Sequence, residues 1–155
     1  MGDDALAFRA ARAADVPAIV DLLRADSLGA GRELQDLAIY EAAFGRVAAD
    51  PNADVIVGEA GGRVVATYHL NVLHGLSRGA STRAQVEAVR VDASLRGQGA
   101  GRALMADAEE RAREAGATLI QLTSDATRPE AHAFYEALGF TPSHIGFKRS
   151  LPSGD

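Results

Sequence analysis

The stretch Arg96-Gly97-Gln98-Gly99-Ala100-Gly101 decides the fold of this 155-residue chain. It stands between an apolar run, Val86–Val91, and an Ala/Leu-rich amphipathic run that starts near Arg102. This order predicts a strand, a glycine loop and the start of a helix. Glycines at alternate positions allow a tight turn and a close approach to a ligand, and the first N–H groups of a helix have no helical acceptor. The stretch therefore predicts a cradle for a pyrophosphate.

Two familiar phosphate loops can be tested against this spacing. A P-loop requires Lys followed by Ser or Thr after its last glycine, whereas Gly101 is followed by Arg102-Ala103. A dinucleotide fingerprint requires a third glycine where Arg102 stands, and it normally follows the first strand of its domain. The stretch fits neither pattern. A tight strand-to-helix connection without a ligand is the remaining alternative to a cradle.

The spacing Arg-x-x-Gly-x-Gly, after a strand that ends at 89–92, resembles the acyl-CoA-binding motif of the GNAT (GCN5-related N-acetyltransferase) superfamily. A second block, Ala131–Phe140, resembles the Ala-x-x-x-Tyr-x-x-x-Gly-Phe helix and strand of the same superfamily. The two blocks stand in the family's order. The resemblance implies one domain, 1–155, with an α/β (α+β) fold. Its sheet is expected to be mixed, mostly antiparallel and flanked by helices, with a central parallel strand-helix-strand crossover.

The remaining pattern predicts alternating strands and helices. Period-two runs and turn residues predict strands at 5–11, 54–60, 63–73, 82–91 and 118–123, with Phe140 and His144–Leu151 finishing the sheet. Helices are predicted from Asp15, over 33–48, from the glycine loop to about 114, and after the capping box Thr127-x-x-Glu130. Gly61-Gly62 predicts a hairpin turn, and Gly116 and Gly139 predict helix ends. Loops are expected at 26–31 and 75–81, and a loose tail at 152–155.

The composition disfavours several classes of protein. A formal net charge of −5 and the lack of a Lys/Arg cluster argue against a nucleic-acid partner, while an acidic protein attracts a cationic amine. The chain has no cysteine, which excludes a disulfide, a thiolate zinc site and a cysteinyl acyl intermediate. Met1–Leu6 matches neither a signal peptide nor a myristoylation site, and no run reaches membrane-spanning length. We therefore expect a cytoplasmic protein without a membrane partner.

The family resemblance implies an acetyl-CoA site on the glycine loop. It assigns the pyrophosphate contacts to Gly97, Gln98, Gly99, Ala100, Gly101 and Arg102. It assigns the pantetheine arm to the backbone of Val89, Arg90 and Val91, with the Val91 amide near the thioester carbonyl. Arg96 either contacts a phosphate or is a solvated charge beside the loop.

Two side chains are candidates for proton transfer. Tyr135 matches the family's tyrosine, whose hydroxyl is proposed to protonate the leaving thiolate, and it also suits a core aromatic beside Phe134. Glu87 lies on the strand that enters the loop, where several relatives carry a glutamate that takes a proton from the amine. A cross-strand ion pair with an arginine is its alternative role. Strand alternation places Glu87 on one face with Val89 and Val91, a parity that the family's bulge would disturb.

Histidines are further candidate bases because imidazole titrates near neutral pH. His69, His74 and His144 are such candidates, although a single strand histidine is more often packed or solvated, and His132 is predicted on a helix surface. The four do not form a metal-ligand spacing, so no metal is expected. Arg128 occupies the position of an asparagine that contacts the pantetheine in many relatives, so that contact is not predicted here. Arg128 either approaches the cofactor or decorates the first helical turn.

Together these features predict an acetyl-CoA-dependent N-acetyltransferase that modifies a small primary amine by direct attack in a ternary complex, since no thiol can carry the acyl group. A protein or peptide amine is the alternative acceptor. A non-catalytic acyl-CoA-binding module is the alternative from another class, and a nucleotide-binding protein is a more distant third. The ending from Arg128 to Phe147 resembles aminoalkylphosphonate acetyltransferases, but such endings are widespread and the acceptor stays open. Dimers are frequent in the family, so a homodimer is possible.

Overall fold

The structure, a computed structural model, describes residues 5–26, 29–33 and 35–153. The chain divides into two compact units, Met1–Leu122 and Thr123–Asp155. Parts of the predicted amino-terminal, loop, helix and tail segments lie outside the described residues, namely 1–4, 27–28, 34 and 154–155.

The first unit contains ten helices and strands among its described residues. They are, in chain order, β1 (Ala7–Ala10), α1 (Val16–Arg24), α2 (Gly29–Arg32), α3 (Leu37–Ala48), β2 (Ala53–Ala60), β3 (Arg63–Leu73), α4 (Ser77–Ala80), β4 (Arg83–Val91), α5 (Ala100–Glu114) and β5 (Leu119–Leu122). Short 3-10 turns precede α1 at Ala13–Asp15 and follow β4 at Ala93–Leu95. The second unit contains α6 (Pro129–Ala137).

The five strands form one sheet in the order β1-β2-β3-β4-β5. Its first three pairings are antiparallel and β4–β5 is parallel, so the predicted fold class, a mixed and mostly antiparallel sheet flanked by helices, is confirmed. The parallel pair, which was expected at the centre, lies at the edge of the sheet.

The end of the chain explains this difference. The described residues 140–153 form no strand, so the prediction that Phe140 and His144–Leu151 finish the sheet is wrong. The side chains from 141 to 153 are exposed, and a strand is stable only where its backbone and one face find partners. As a result, β5 has a strand neighbour on one side only within the described part of the chain.

Three predicted chain reversals are confirmed by the backbone conformation. Gly61 and Gly62 join β2 to β3 with φ angles of 57° and 74°. Gly116 follows α5 with a φ of 86°, and Gly139 follows α6 with a φ of 95°. These left-handed conformations are open to a residue without a Cβ atom, which is why glycine occupies them.

The capping box predicted at Thr127 does not form. The Thr127 N–H and hydroxyl both donate to Asp125 Oδ1, at 2.8 and 2.5 Å. α6 begins instead at Pro129, whose missing N–H and fixed φ angle suit the first helical position. The nearer carboxylate therefore outcompetes the cap that the sequence pattern indicates.

The helix predicted over 33–48 is shorter than expected. Its described part begins at Leu37, because Asp36 Oδ1 accepts a hydrogen bond from the Ala38 N–H at 3.0 Å and caps this end. α2 occupies part of the loop predicted at 26–31. Local side-chain capping thus sets a boundary that apolar periodicity alone does not locate.

The sheet carries a separate apolar layer on each face. On one face, Val55 and Val57 of β2 pack with Ile19 of α1, and partly buried side chains of α3 complete the cluster. On the other face, Ile56 and Tyr68 are fully buried, and α5 packs against β3 and β4. Truncating a buried side chain of this size typically costs about 2–5 kcal/mol, so both layers hold the helices firmly on the sheet.

Arg9 links β1 to the start of α1 and to β2. Its guanidinium donates to Asp15 at 2.8 and 3.0 Å and to Glu59 at 3.2 and 3.4 Å. Asp15 is buried and also accepts the Arg12 N–H at 2.7 Å. The hydrogen bond from Arg9 holds the pKa of Asp15 below its ordinary value. Asp15 is therefore charged near neutral pH and joins three parts of the first unit.

Tyr68 ties β3 to α5. Its hydroxyl donates to Asp107 Oδ2 at 2.5 Å, and Arg111 Nε donates to the same oxygen at 2.8 Å. A second nitrogen of Arg111 donates to the Phe8 carbonyl at 3.4 Å. Burial and the hydrogen bond to Asp107 raise the pKa of Tyr68, so its hydroxyl stays protonated and donates. This network fixes the orientation of α5 on the sheet.

We expect Asp15→Asn to lower the free energy of unfolding near pH 7 by about 1–3 kcal/mol, the range for a hydrogen bond to a charged group. Because the folded-state pKa of Asp15 is depressed, its contribution is complete above the ordinary value of 3.8 and is lost as the pH falls through the folded-state value. The difference between variant and wild type should therefore shrink below pH 3.8. Urea unfolding near pH 7 and below pH 3.8 measures this difference.

Asp21→Asn is the matched control, because Asp21 is exposed on α1, which begins directly after Asp15, and the substitution removes the same charge. It should change the free energy of unfolding by less than about 0.5 kcal/mol. Equal losses in the two variants, or a difference that grows in acid, would contradict this role of Asp15.

Candidate functional site

The glycine loop follows a 3-10 turn that Asp92 begins. Asp92 Oδ1 accepts the N–H and the hydroxyl of Ser94, at 2.9 and 2.7 Å, and the bond from the hydroxyl helps to hold the pKa of Asp92 below its ordinary value. Gly97 and Gly99 then adopt φ angles of 75° and 80°. A Cβ atom at either glycine would meet no described atom within 4 Å, so the space above the loop is open. The sequence analysis missed Asp92, although Asp two residues before Ser is a signal for such a turn.

The start of α5 is uncapped by side chains. Gly99 is the cap residue and makes no side-chain cap hydrogen bond. The Ala103 N–H donates to the Gly99 carbonyl at 3.0 Å, so the N–H groups of Ala100, Gly101 and Arg102 come before the helical ladder. A helix of 15 residues also carries partial positive charge at this end. Such an end binds phosphate groups well.

Two cationic side chains flank the loop. Arg96 and Arg102 are exposed, and a guanidinium can bind a phosphate through paired hydrogen bonds. Gln98 lies between them, and its Nε2 donates to the Ser94 carbonyl at 2.9 Å. The Gln98 side chain therefore braces the loop, while both arginine side chains remain accessible to an anion.

β4 and β5 diverge before the loop. Their parallel pairing ends at Val86 with Leu122, while β4 continues to Val91 with β3 as its partner among the described strands. Among the described strands, none pairs with the other edge of residues 87–91. On this stretch the Val89 carbonyl accepts a hydrogen bond from Arg90 Nη1. The predicted pantetheine residues, 89–91, lead directly to the turn before the loop.

A bulge interrupts β4 beside Glu87. His69 pairs with Glu87 and Thr67 pairs with Arg90, so one residue of β3 stands opposite two residues of β4. Glu87 and Arg90 therefore face the same side of the sheet. The prediction that Glu87 shares a face with Val91 is wrong, because the extra residue inverts the alternation.

Glu87 and His69 form a polar pair across β3 and β4. Glu87 is exposed, and its Oε1 accepts a hydrogen bond from Gln85 Nε2 at 2.6 Å. Burial lowers the pKa of His69, an effect that Glu87 opposes and Arg90 reinforces. His69 is therefore neutral near pH 7, the state in which a ring nitrogen can accept a proton. The two candidate bases from the sequence are thus brought together at one place on the sheet.

Arg90 is held by an ion pair next to this site. Its Nε lies 3.4 Å from Asp26 Oδ2, and the two side chains are only 11% and 12% exposed. Arg90 Nη1 also donates to the Val89 carbonyl at 2.9 Å. The guanidinium is therefore engaged on the α1 side of the sheet, and the backbone of Arg90 is the part that fits the predicted cofactor contact.

In the second unit, Tyr135 belongs to an aromatic cluster. Its ring centroid lies 5.1 Å from that of Phe134 and 5.9 Å from that of Phe140, and both pairs meet edge to face. The Phe140 N–H donates to the Tyr135 carbonyl at 3.0 Å where the chain leaves α6. The ring thus packs against other aromatic side chains, as its alternative role beside Phe134 predicts. The catalytic role of the hydroxyl stays a prediction.

The other sequence candidates have local partners. Arg128 is half-buried at the cap position of α6 and makes no side-chain cap hydrogen bond. Each remaining histidine has a ring nitrogen close to a neighbouring oxygen. The pairs are His74 with Thr82 Oγ1 at 3.0 Å, His132 with the Asp125 carbonyl at 2.8 Å, and His144 with Ser143 Oγ at 2.7 Å.

The part of the chain that the structure describes contains no group of three or more His, Cys, Asp or Glu residues placed to bind a metal ion. None of the helices in that part is both long and apolar enough to cross a bilayer. The expected absence of a metal and of a membrane partner stays a prediction.

We expect His69 to titrate below the ordinary value of 6.5, and Glu87→Gln to lower its pKa further because the carboxylate favours the charged imidazole. Imidazole chemical shifts followed by NMR across the acid range measure both values. Glu41→Gln is the control, since it removes an exposed carboxylate on α3 and should leave the pKa of His69 unchanged. A higher pKa of His69 after Glu87→Gln would rule out the polar pair.

Comparison with known proteins agrees with the fold and the glycine loop. The family model of the Acetyltransferase (GNAT) family matches residues 16–140, which include the loop and reach into both units. The chain is 35% identical over 102 residues to an aminoalkylphosphonate N-acetyltransferase of Salmonella typhimurium. That match covers 66% of this chain and 66% of the relative, slightly less than two thirds of its length.

Solved structures match the fold over nearly the whole chain. A transcriptional regulator from Bacillus halodurans C-125 has a TM-score of 0.91 and 38% identity, over 95% of this chain and 100% of that one. A "putative acetyltransferase" from Agrobacterium tumefaciens strain C58 has a TM-score of 0.84 and 30% identity, over 94% and 99% of the two chains. The chain therefore belongs to the GNAT acetyltransferase family.

Proposed function

We propose that the chain is an acetyl-CoA-dependent N-acetyltransferase that modifies the primary amine of a small molecule. The observation that carries this proposal is the open edge of β4 at 87–91, which leads into the glycine loop and the uncapped start of α5. A pantetheine arm requires a strand edge with available N–H and C=O groups, and its pyrophosphate requires N–H donors. Both occur in succession along one stretch of the first unit.

The residues present fit acetyl-CoA as the acyl donor. Residues 97–101 offer open positive-φ glycines and the first amides of a helix, and Arg96 and Arg102 offer exposed guanidinium groups. The backbone at 89–91 is the candidate partner of the pantetheine arm. Bound in this way, acetyl-CoA supplies the activated acetyl group. This chain orients that group and provides the side chains that accept and donate protons.

Transfer joins the amine nitrogen to the acetyl carbon and breaks the carbon–sulfur bond, so one proton leaves nitrogen and one reaches sulfur. Glu87, with His69 beside it, is the candidate for taking the first proton, because it is exposed and faces the same side as the imidazole. Tyr135 is the candidate for donating the second proton, an assignment that the sequence block Ala131–Phe140 supports. Since the chain has no cysteine, the amine attacks directly in a ternary complex.

The acceptor class that we propose is a small aminoalkyl compound with an acidic group such as a phosphonate. The relative from Salmonella typhimurium, whose name specifies an aminoalkylphosphonate, supports this choice. The carboxylate of Glu87 would attract the protonated amine before it loses its proton. A protein amine as acceptor, and acyl-CoA binding without turnover, are the competing outcomes of the experiments below.

We expect acetyl-CoA to raise the unfolding temperature by several degrees, because a ligand at about a hundred times its Kd stabilises by about 2.7 kcal/mol. Arg102→Glu should reduce this shift, since it places a carboxylate where the pyrophosphate is expected. Arg46→Glu, which reverses an exposed charge on α3, should preserve the shift. Scanning calorimetry with acetyl-CoA or ATP measures these changes. No shift with acetyl-CoA, or an equal shift with ATP, would contradict the cofactor assignment.

We expect Tyr135→Phe to reduce thiol release from acetyl-CoA by about 100-fold or more with a small aminoalkylphosphonate as acceptor, because general acid catalysis contributes a factor of this size. The thermal shift with acetyl-CoA should remain, since the substitution deletes only one hydroxyl. Thiol release at saturating acetyl-CoA measures the rate.

Three other outcomes of this assay discriminate among the alternatives. Unchanged turnover in the Tyr135 variant would remove the hydroxyl as the general acid. Release by the wild type with peptide amines alone would favour a protein acceptor. Binding of acetyl-CoA without release for any amine would favour a binding module.

A further inference from the structure

Three side chains of β4 and β5 form a continuous row of hydrogen bonds that ends at Glu87. Gln121 Nε2 donates to Gln85 Oε1 at 2.9 Å, and Gln85 Nε2 donates to Glu87 Oε1 at 2.6 Å. We call this row the amide chain. All three of its members belong to the first unit.

The register of the sheet places the amide chain on the face that carries His69. Gln85 pairs with Gln121 across the parallel strands, and Glu87 follows two residues later on the same side of β4. His69 stands opposite Glu87 on β3. The bulge in β4 begins after Glu87, so the alternation between 85 and 87 is regular. The amide chain therefore meets the two candidate bases at one place.

The charge of Glu87 fixes the direction of both amides. An ionised carboxylate only accepts hydrogen bonds, so the end of Gln85 that faces Glu87 has to be its NH₂ group. The carbonyl oxygen of Gln85 then faces Gln121 and requires a donor, so Gln121 turns its own NH₂ group toward it. Each amide therefore has a single orientation, which is set from the carboxylate outward.

The amide chain gives the two oxygens of Glu87 different environments. Oε1 accepts the hydrogen bond from Gln85, whereas no described residue donates to Oε2. Glu87 is exposed, while Gln85 and Gln121 are partly buried. An exposed glutamate samples several rotamers unless a bond restrains it. The partly buried amides therefore hold an exposed carboxylate in one orientation, with Oε2 left to accept a proton.

We propose that Gln85 is a positioning residue for Glu87, and that Gln121 locks the amide of Gln85 in the orientation that this role requires. The inference rests on the proposed function, in which Glu87 takes a proton from the acceptor amine. An N–H bond of the amine breaks, its electron pair stays on nitrogen, and an O–H bond forms at Oε2. Oε1 keeps its hydrogen bond from Gln85. Positioning matters because a misplacement of about 1 Å can cost on the order of 100-fold in rate.

Gln85→Met tests the positioning role, because methionine has a similar length but donates no hydrogen bond. With a small aminoalkylphosphonate as acceptor, we expect kcat to fall about 10-fold or more. The KM for acetyl-CoA and the thermal shift that it produces should stay unchanged. Gln35→Met is the matched control, since Gln35 is exposed and precedes α3, and it should keep the wild-type kcat. A wild-type kcat in folded Gln85→Met would overturn the proposal.

Two substitutions of Gln121 test the direction of the amide chain. Gln121→Met only removes the donor to Gln85 Oε1, whereas Gln121→Glu places a carboxylate there that repels this oxygen and competes with Glu87 for Nε2. We therefore expect Gln121→Glu to lower kcat more than Gln121→Met does, although glutamate is closer in shape to glutamine. Circular dichroism establishes that both variants are folded. Equal losses, or the reverse order, would contradict the assigned direction.

A double variant distinguishes action through Glu87 from general support of the sheet. If Gln85 acts through Glu87, adding Gln85→Met to Glu87→Gln should not slow turnover below that of Glu87→Gln alone. Losses that multiply in the double variant would mean that Gln85 acts independently of Glu87, which would overturn the positioning role.

NMR of the side-chain amides tests the amide chain without turnover. The NH₂ signals of Gln85 and Gln121 are each assigned by their loss in the corresponding methionine variant. Both should move in Glu87→Ala, which removes the acceptor, and neither should move in Glu41→Gln. Movement of the Gln85 signal alone would remove Gln121 from the proposal, and movement of neither would overturn it. A wild type that shows these shifts but releases no thiol with any amine would contradict the proposed function, and the positioning role with it.

Discussion

The separation of β4 from β5 after Val86 is the constraint on which the candidate site depends. If the parallel pairing continued to Val91, the N–H and C=O groups at 87–91 would be engaged in the sheet and closed to a ligand. Because β5 ends at Leu122, no described strand pairs with this edge of β4 where the chain approaches the glycine loop. The first amides of α5, which have no helical acceptor, follow along the same short stretch, and this is the stretch on which the proposed acetyl-CoA site rests.

The bulge in β4 is strained and is held from both sides. Ala88 has a φ of 52°, a conformation that costs a non-glycine residue roughly 1–3 kcal/mol. On β3, buried Thr67 donates its hydroxyl to the Ile56 carbonyl at 2.8 Å, which anchors the strand opposite the bulge. On β4, the buried pair of Arg90 with Asp26 anchors the next part of the strand. The strained residue directly follows Glu87, which pairs with His69 across the two strands.

The sequence predicted those features that depend on local backbone chemistry. The Gly61-Gly62 hairpin and the glycine loop could be read directly, because a positive φ requires a residue without a Cβ atom. The strand, helix and strand around the loop followed from periodicity. The resemblance of residues 86–140 to known blocks then identified the family, since spacing in two blocks is far more specific than a single glycine pattern.

Other features depend on contacts between distant residues, which a single sequence does not display. The ion pair of Arg90 with Asp26 joins β4 to the end of α1, and no spacing indicates it. The prediction that Glu87 shares a sheet face with Val91 failed for a related reason. The bulge changes the register by one residue, so every later side chain of the strand lies on the opposite face from the one expected. The capping box at Thr127 failed because Asp125 Oδ1 accepts the Thr127 N–H, the donor that the box would give to Glu130.

The failed prediction of a last strand has a different cause. The alternation from His144 to Leu151 is a genuine strand pattern, since it would separate apolar from polar side chains on two faces. A strand, however, also needs a hydrogen-bonded neighbour, and none of the described residues 140–153 is in a strand. Alternation therefore indicates where a strand can form, whereas the pairing that decides whether it forms depends on residues far away in the sequence.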